Sequence, residues 1–185
     1  IPILRNIMSE VDLIAATFAK VEAEMAGYDD RDGFIWMDGK LVEWRDAKVH
    51  ILTHALHYAS AVFEGERCYN GKIFKSSEHS ARLLKSGEML DMPIPYTVEQ
   101  INAAKEEVLK ANGLTDAYIR LVVTRGVGDL GLAPWLCPKP TIFIIASKIS
   151  LYPKEHYDNG LAIVTVPTRR IGPASLPPAI KVSSA

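Results

Sequence analysis

Residues 34–44 read Phe-Ile-Trp-Met-Asp-Gly-Lys-Leu-Val-Glu-Trp, FIWMDGKLVEW. Two β-rich runs flank Asp38-Gly39, a pair that accepts the positive φ angles of a two-residue turn, so the stretch predicts a hairpin. AVFEGERCYNGKIF (61–74) repeats the pattern around Asn70-Gly71 and predicts a second hairpin. After these come helical stretches and then strands, with no regular strand–helix–strand alternation. That order selects an α+β domain over a doubly wound sheet.

Working outward, Ser77 opens an expected helix through EHSARLLKSGEML. Thr97 and Gln100 have the spacing of a capping box before INAAKEEVLKANG, which closes on Asn112-Gly113. AYIRLVVT (117–124) and TIFIIAS (141–147) read as strands, and LAIVTVP (161–167) follows a stretch containing Pro and Tyr. Upstream, residues 9–26 predict an amphipathic helix. Ser9 and Asp12 stand at capping-box spacing, Ile14, Phe18, Val21 and Met25 share one face, and Gly27 stops it. KISLYPKEHYDNG has turn residues and no periodicity. The expected organisation is therefore an N-terminal extension (1–30), a small α+β domain (31–148), a linker (149–160) and the start of a second domain (161–185).

The chain of 185 residues has 48% hydrophobic and 23% charged residues and a net charge of −1. Apolar content is ample for a core, and the charge favours neither nucleic acid nor an anionic membrane. No stretch approaches the roughly 20 apolar residues of a membrane span, and the basic start of a secretory signal is missing. With two cysteines, Cys68 and Cys137, a disulfide scaffold is not expected and the cytoplasm is the expected setting.

Several motifs invite chemistry. GVGDLG (126–131) fits a dinucleotide fingerprint, but Pro134, Pro138 and Pro140 forbid the helix that should follow, so a glycine-rich loop between strands is expected. His50, His54 and His57 would share a helical face, yet no acidic or cysteine ligand accompanies them. Hydrogen-bonded core or turn histidines are expected, and no metal. Cys68 reads as a small hydrophobe in a strand. Tyr118 and Arg120 project to one face of an apolar strand and call for a partner, either a ligand carboxylate or an internal ion pair. Lys181 lies in SLPPAIKVSSA (175–185); buried there, its neutral amine would be a nucleophile, and exposed it would be an ordinary surface charge.

Together, WMDGKLVEWRDAKVHILTHALHYASAVFEGERCY (36–69), EHSARL (78–83), AYIRLVVTRGVGDLGL (117–132) and PPAIKVSS (177–184) resemble the class IV aminotransferases. The likeness is greatest to the branched-chain amino-acid aminotransferases and runs from about Gly33 to Ala185. It implies the D-amino-acid-transaminase type of fold (fold type IV) and pyridoxal 5′-phosphate (PLP) as cofactor. By the same resemblance Lys181 is the catalytic lysine that bonds to PLP, and Arg82 binds its phosphate. Tyr118 and Arg120 hold substrate carboxylates, Tyr58, Phe63 and Gly65 line the side-chain pocket, and Arg67 follows in the same motif. Asp129, Leu130 and Gly131 belong to a loop that reaches a neighbouring subunit, which implies a homodimer or larger assembly. The implied reaction is ping-pong transfer of the amino group from leucine, isoleucine or valine to 2-oxoglutarate.

The resemblance also sets expectations at the ends. Only four residues follow Lys181, so the chain reads as a fragment that lacks most of the large PLP-binding domain. AATFAKVEAEMAGYDD looks like the helix that normally follows the catalytic lysine, displaced to the front. Two alternative readings are a D-amino-acid transaminase or aminodeoxychorismate lyase of the same fold, and a non-catalytic truncated or engineered scaffold.

Overall fold

In the computed structural model, which describes residues 27–184, both expected hairpins form. Strands β1 (Phe34–Met37) and β2 (Lys40–Glu43) turn through Asp38 and Gly39, whose φ angles of 49° and 100° suit the tight turn. Strand β3 (Ala61–Tyr69) turns through Asn70 and Gly71 into the short β4 (Lys72–Ile73). A five-residue helix, α1 (His54–Tyr58), precedes β3. Helices α2 (Ser76–Glu88) and α3 (Val98–Ala111) then lead to β5 (Ala117–Thr124) and β6 (Thr141–Ser147). The six strands form one antiparallel sheet in the order β2-β1-β6-β5-β3-β4. This is the α+β class expected, and the expected helix at 9–26 lies outside the described residues.

The helix boundaries follow local chemistry. Thr97 and Gln100 form the full capping box, each side chain bonded to the other's backbone N–H. Helix α2 starts one residue earlier than expected, at Ser76, because Lys75 takes a left-handed conformation (φ 55°) before it. Ser77 does not cap it; its hydroxyl accepts a hydrogen bond from Asn102 on α3. Within the expected linker a further helix, α4 (Lys154–Asn159), forms after Pro153, held by a Lys154–Asp158 ion pair and an edge contact between Tyr152 and Tyr157. Beyond it, residues 161–175 run exposed, without helix or strand.

Alternation along the strands separates two faces. Val62, Ile119, Leu121, Val123, Ile142 and Ile144 are buried on one face, in a core with Leu83, Ile101, Ala104 and Val108 of α2 and α3. The other face of the central strands keeps Phe63, Gly65 and Arg67, Tyr118, Arg120 and Val122, and Phe143 and Ile145 half-buried or exposed.

Two carboxylates interrupt the covered face, Glu64 and Glu66 of β3, both fully buried. Glu66 meets Lys105 of α3, equally buried, at 2.9 and 3.1 Å; the ammonium also donates to Ser80 Oγ and the Ser76 carbonyl. Burial pushes the Glu66 carboxyl above its ordinary value and the Lys105 amine below its own, against the pull of their opposite charges. A pair bonded this fully tolerates burial, whereas one partner alone does not. Lys105→Met is expected to cost about 3–5 kcal/mol in urea denaturation by stranding Glu66, and adding Glu66→Leu should recover most of that loss. Equal losses in the single and double variants would show that the pair does not anchor α3.

Candidate active site

The C-terminal segment reaches the sheet at the start of β3. One edge of β3 is occupied by β5 along its whole length, while β4 covers only the far end of the other. The segment takes the vacant portion: Phe63 N–H donates to the Lys181 carbonyl and Ser183 N–H to the Ala61 carbonyl, each at 3.0 Å, with a bridge between Val62 and Val182. Ile180 and Val182 are buried in the core on either side of Lys181. Burying two such side chains contributes about 1.5–3 kcal/mol each and fixes the lysine's backbone between them. From α2, Ser86 Oγ accepts the Lys181 N–H at 3.3 Å.

The Lys181 amine thereby lies 3.7 Å from Glu64 Oε2. Glu64 also receives Arg82 of α2, whose Nε and Nη2 donate to its two oxygens, and His79 Nδ1 lies at 2.8 Å. Burial raises the Glu64 carboxyl; the hydrogen bonds from Arg82 and His79 and the charges of Lys181 and Arg82 outweigh it and hold the group below its ordinary value. Above this cluster opens a cleft of about 330 Å³ lined by Phe63, Arg82, Arg170, Lys181 and the turn Pro178–Ile180. Three cationic side chains around one cavity, one of them a primary amine, can attract an anion and offer a nucleophile.

Phe63 joins this cleft to the uncovered sheet face. The Lys181 amine lies 5.1 Å from its ring centroid and the Arg120 guanidinium 5.2 Å from the same point. Arg120 Nε donates to Tyr118 Oη at 2.8 Å, so the expected pair does share a face, and each is the other's partner. Gly65 sits beneath Tyr118: a Cβ there would come within 2.4 Å of the phenolic oxygen. Only glycine lets the ring lie over the strand. Arg67 stands further along β3 and donates to the Ile149 carbonyl.

Tyr58 and the glycine-rich loop form a separate unit. The loop lies between β5 and β6, as expected, and docks on α1. His54 N–H donates to the Gly126 carbonyl, His54 Nε2 lies 3.1 Å from the Asp129 carbonyl, and Tyr58 Oη donates to the Leu130 carbonyl. Gly128 permits the approach, since a Cβ would meet His54 Nε2 at 2.5 Å and Cys137 Sγ at 2.7 Å. The three histidines do not share a helical face. His50 precedes α1 and accepts from Leu52 N–H, and His57 bonds the Ile51 carbonyl. Among the described residues no group of His, Cys, Asp or Glu could hold a metal ion. Cys68 is buried, donates to the Thr115 carbonyl, and has its thiol pushed up by burial.

The structure thus gathers Lys181, Arg82 and Phe63 in one cleft, with Gly65, Tyr118 and Arg120 beside it on one face. Tyr58 and Asp129–Gly131 lie together in the separate loop unit. Sequence reasoning missed Glu64, His79 and Arg170. The signal for Glu64 was available: the alternation that pairs Tyr118 with Arg120 also turns Glu64 toward the side of Val62 and Cys68, where a carboxylate needs a cation.

The family model for class IV amino-transferases matches residues 61–185. The chain belongs to the class IV aminotransferases. A putative branched-chain-amino-acid aminotransferase of Methanocaldococcus jannaschii is 47% identical over 147 residues, which cover 80% of this chain and 50% of that protein. The crystal structure of the Escherichia coli branched-chain amino acid aminotransferase superposes with a TM-score of 0.79 at 32% identity, covering 83% of this chain and 52% of that one. The branched-chain amino acid aminotransferase of Thermobaculum terrenum, solved in its PLP form, matches at a TM-score of 0.67 and 25% identity, over 84% of this chain and 52% of that one. The fold of this segment is therefore that of the branched-chain aminotransferases, and the chain spans about half the length of the relatives it matches.

The Glu64 cluster predicts an acid response. A carboxylate held below its ordinary value of 4.5 contributes stability that is present above that pH and lost as pH falls toward the folded-state value. The melting temperature of Glu64→Gln should therefore fall less steeply than that of the unmodified chain between about pH 5 and 3. Glu66 has the opposite sign and is present in both proteins, and the Glu64 charge is the smallest contribution to its shift. Parallel slopes would remove Glu64 as the acid-sensitive group.

Proposed function

We propose that the cleft binds pyridoxal 5′-phosphate and that the chain carries the N-terminal share of an active site for transamination of branched-chain amino acids with 2-oxoglutarate. The observation that carries this reading is the convergence of a primary amine, two guanidinium groups and an aromatic wall in one cleft beside the Tyr118–Arg120 pair. The donor set fits the cofactor: Lys181 suits its aldehyde, Arg82 and Arg170 suit its phosphate, and Phe63 offers an apolar surface for the ring. The bound cofactor supplies the electron sink for charge developing at the substrate Cα.

The chain's own residues supply the rest. Lys181 anchors the cofactor and, when displaced by substrate, carries the proton taken from Cα. Arg120, oriented by Tyr118 and Phe63, accepts the substrate carboxylate in a charge-assisted contact. The branched-chain preference is supported by the names of the relatives, and 2-oxoglutarate as acceptor is carried over from the family resemblance alone. Tyr58 and Asp129–Gly131 serve the site of a second copy in a homodimer. Exposed Leu130, Leu132 and Trp135 in and beside that loop support such a contact. No helix among the described residues is long and apolar enough to cross a membrane, and both cysteines are free thiols, which supports a cytoplasmic setting.

The test is PLP addition, borohydride fixation and peptide mapping on the 185-residue chain. A label concentrated on Lys181, and lost in Lys181→Ala, is expected. PLP scattered over surface lysines would reject the site and favour the scaffold reading.

A further inference from the structure

We infer that Glu64 is a positioning residue: its buried carboxylate grips one edge of the Arg82 guanidinium so that the remaining donors face the cleft as a fixed anion-binding group. The inference rests on the reading of the cleft as the site of a phosphate-bearing cofactor.

Arg82 alone could not hold such an orientation. Its side chain is half exposed on α2, and a free arginine there would spread over many rotamers. Glu64 is a rigid clamp by contrast. It lies within β3 between β5 and the C-terminal segment, its side chain is 0% exposed, and His79, one turn before Arg82 on the same helix, holds one of its oxygens. Nε and Nη2 of Arg82 are committed to the two carboxylate oxygens. Of the five N–H groups of a guanidinium, the Nη1 pair keeps no hydrogen-bond partner among the described residues, and Arg82 lines the cleft. The strand, through Glu64, thus sets the plane in which the guanidinium meets an incoming anion. The same carboxylate lies 3.7 Å from the Lys181 amine, so one group neighbours two of the cations that line the cleft.

A competing effect has the opposite sign. Glu64 is the carboxylate in direct contact with Arg82 and nearest the Lys181 amine, and by charge alone its removal would strengthen anion binding. Orientation and charge therefore predict opposite outcomes, and phosphate itself can decide between them.

Inorganic phosphate binding is measured by ³¹P NMR titration on the unmodified chain, Glu64→Gln and Glu78→Gln. The last removes the same charge from the exposed start of α2. Protection of Arg82 from phenylglyoxal by phosphate, read by peptide mass spectrometry, reports whether the bound anion is at this residue. We expect Glu64→Gln to weaken phosphate about tenfold, the lower end of what losing an orienting partner costs at metal sites. It should also speed Arg82 labelling in the absence of phosphate, while Glu78→Gln matches the unmodified chain. Equal or tighter phosphate binding in a folded Glu64→Gln would overturn the inference and leave the cofactor site standing. An unmodified chain that neither protects Arg82 with phosphate nor captures PLP at Lys181 would reject the cofactor site, and the inference with it. If Glu64→Gln does not fold, Glu64→Asp decides by keeping the charge and shortening the reach of the grip. Tenfold weaker phosphate supports positioning, and unchanged affinity shows that charge alone suffices.

Discussion

Two carboxylates on the covered face of β3 govern how the rest of the molecule is assembled. A sheet face packed by helices is ordinarily apolar, and a buried carboxylate without a cation is expensive. Glu66 therefore requires Lys105 from α3, and Glu64 requires Arg82 from α2 and the approach of Lys181 from the C-terminal segment. Each pairing fixes the position of an element across the strand. Core packing alone would tolerate small slides of α2 over the sheet, because apolar contact has no direction. Hydrogen bonds of defined length at Glu64 and Glu66 do not.

Fold elements were legible where local chemistry dominates. Asp-Gly and Asn-Gly between β-rich runs leave few alternatives to a hairpin, and Thr97 with Gln100 closes a capping box from side chains only three residues apart. The strands at 117–124 and 141–147 coincide with the expected runs for the same reason: their β-branched alternation fits a half-covered pleat. The short helix at Lys154–Asn159 was not legible. It has no apolar periodicity and rests on one charge pair and one aromatic contact, neither of which a hydropathy pattern registers. LAIVTVP is apolar, yet residues 161–167 are exposed and outside any strand. A β-rich run becomes a strand only when it pairs with another, and residues 161–167 pair with none of the six strands.

The candidate site was legible unevenly, and the division is physical. Tyr118 and Arg120 could be paired from alternation alone because both lie in one strand. Arg82 and Lys181 could be singled out only through family likeness, since 99 positions separate them and their meeting depends on where the C-terminal segment docks. Glu64 shares its side of β3 with Val62 and Cys68, a signal legible in the alternation, but Glu66 on the same side makes that side look polar. Arg170 lies in a segment without regular structure, where no periodicity says which way a side chain turns.

Phe63 gives the site its geometry in a way neither charge nor motif would suggest. Its ring lies about 5 Å from two cations, the Lys181 amine and the Arg120 guanidinium, and attracts both through its quadrupole. Like charges facing each other across an open surface would drift apart or recruit counter-ions. An aromatic ring close to both attracts each and remains apolar itself. An amino acid bound as proposed would have both a cation for its carboxylate and the reactive amine within reach of the one ring. Gly65, next but one along the strand, completes the arrangement by letting Tyr118 lie flat enough to accept the Arg120 hydrogen bond. The alternation of β3 thus gives one strand two tasks: Glu64 orients the cations from below, while Phe63 and Gly65 shape the surface they face.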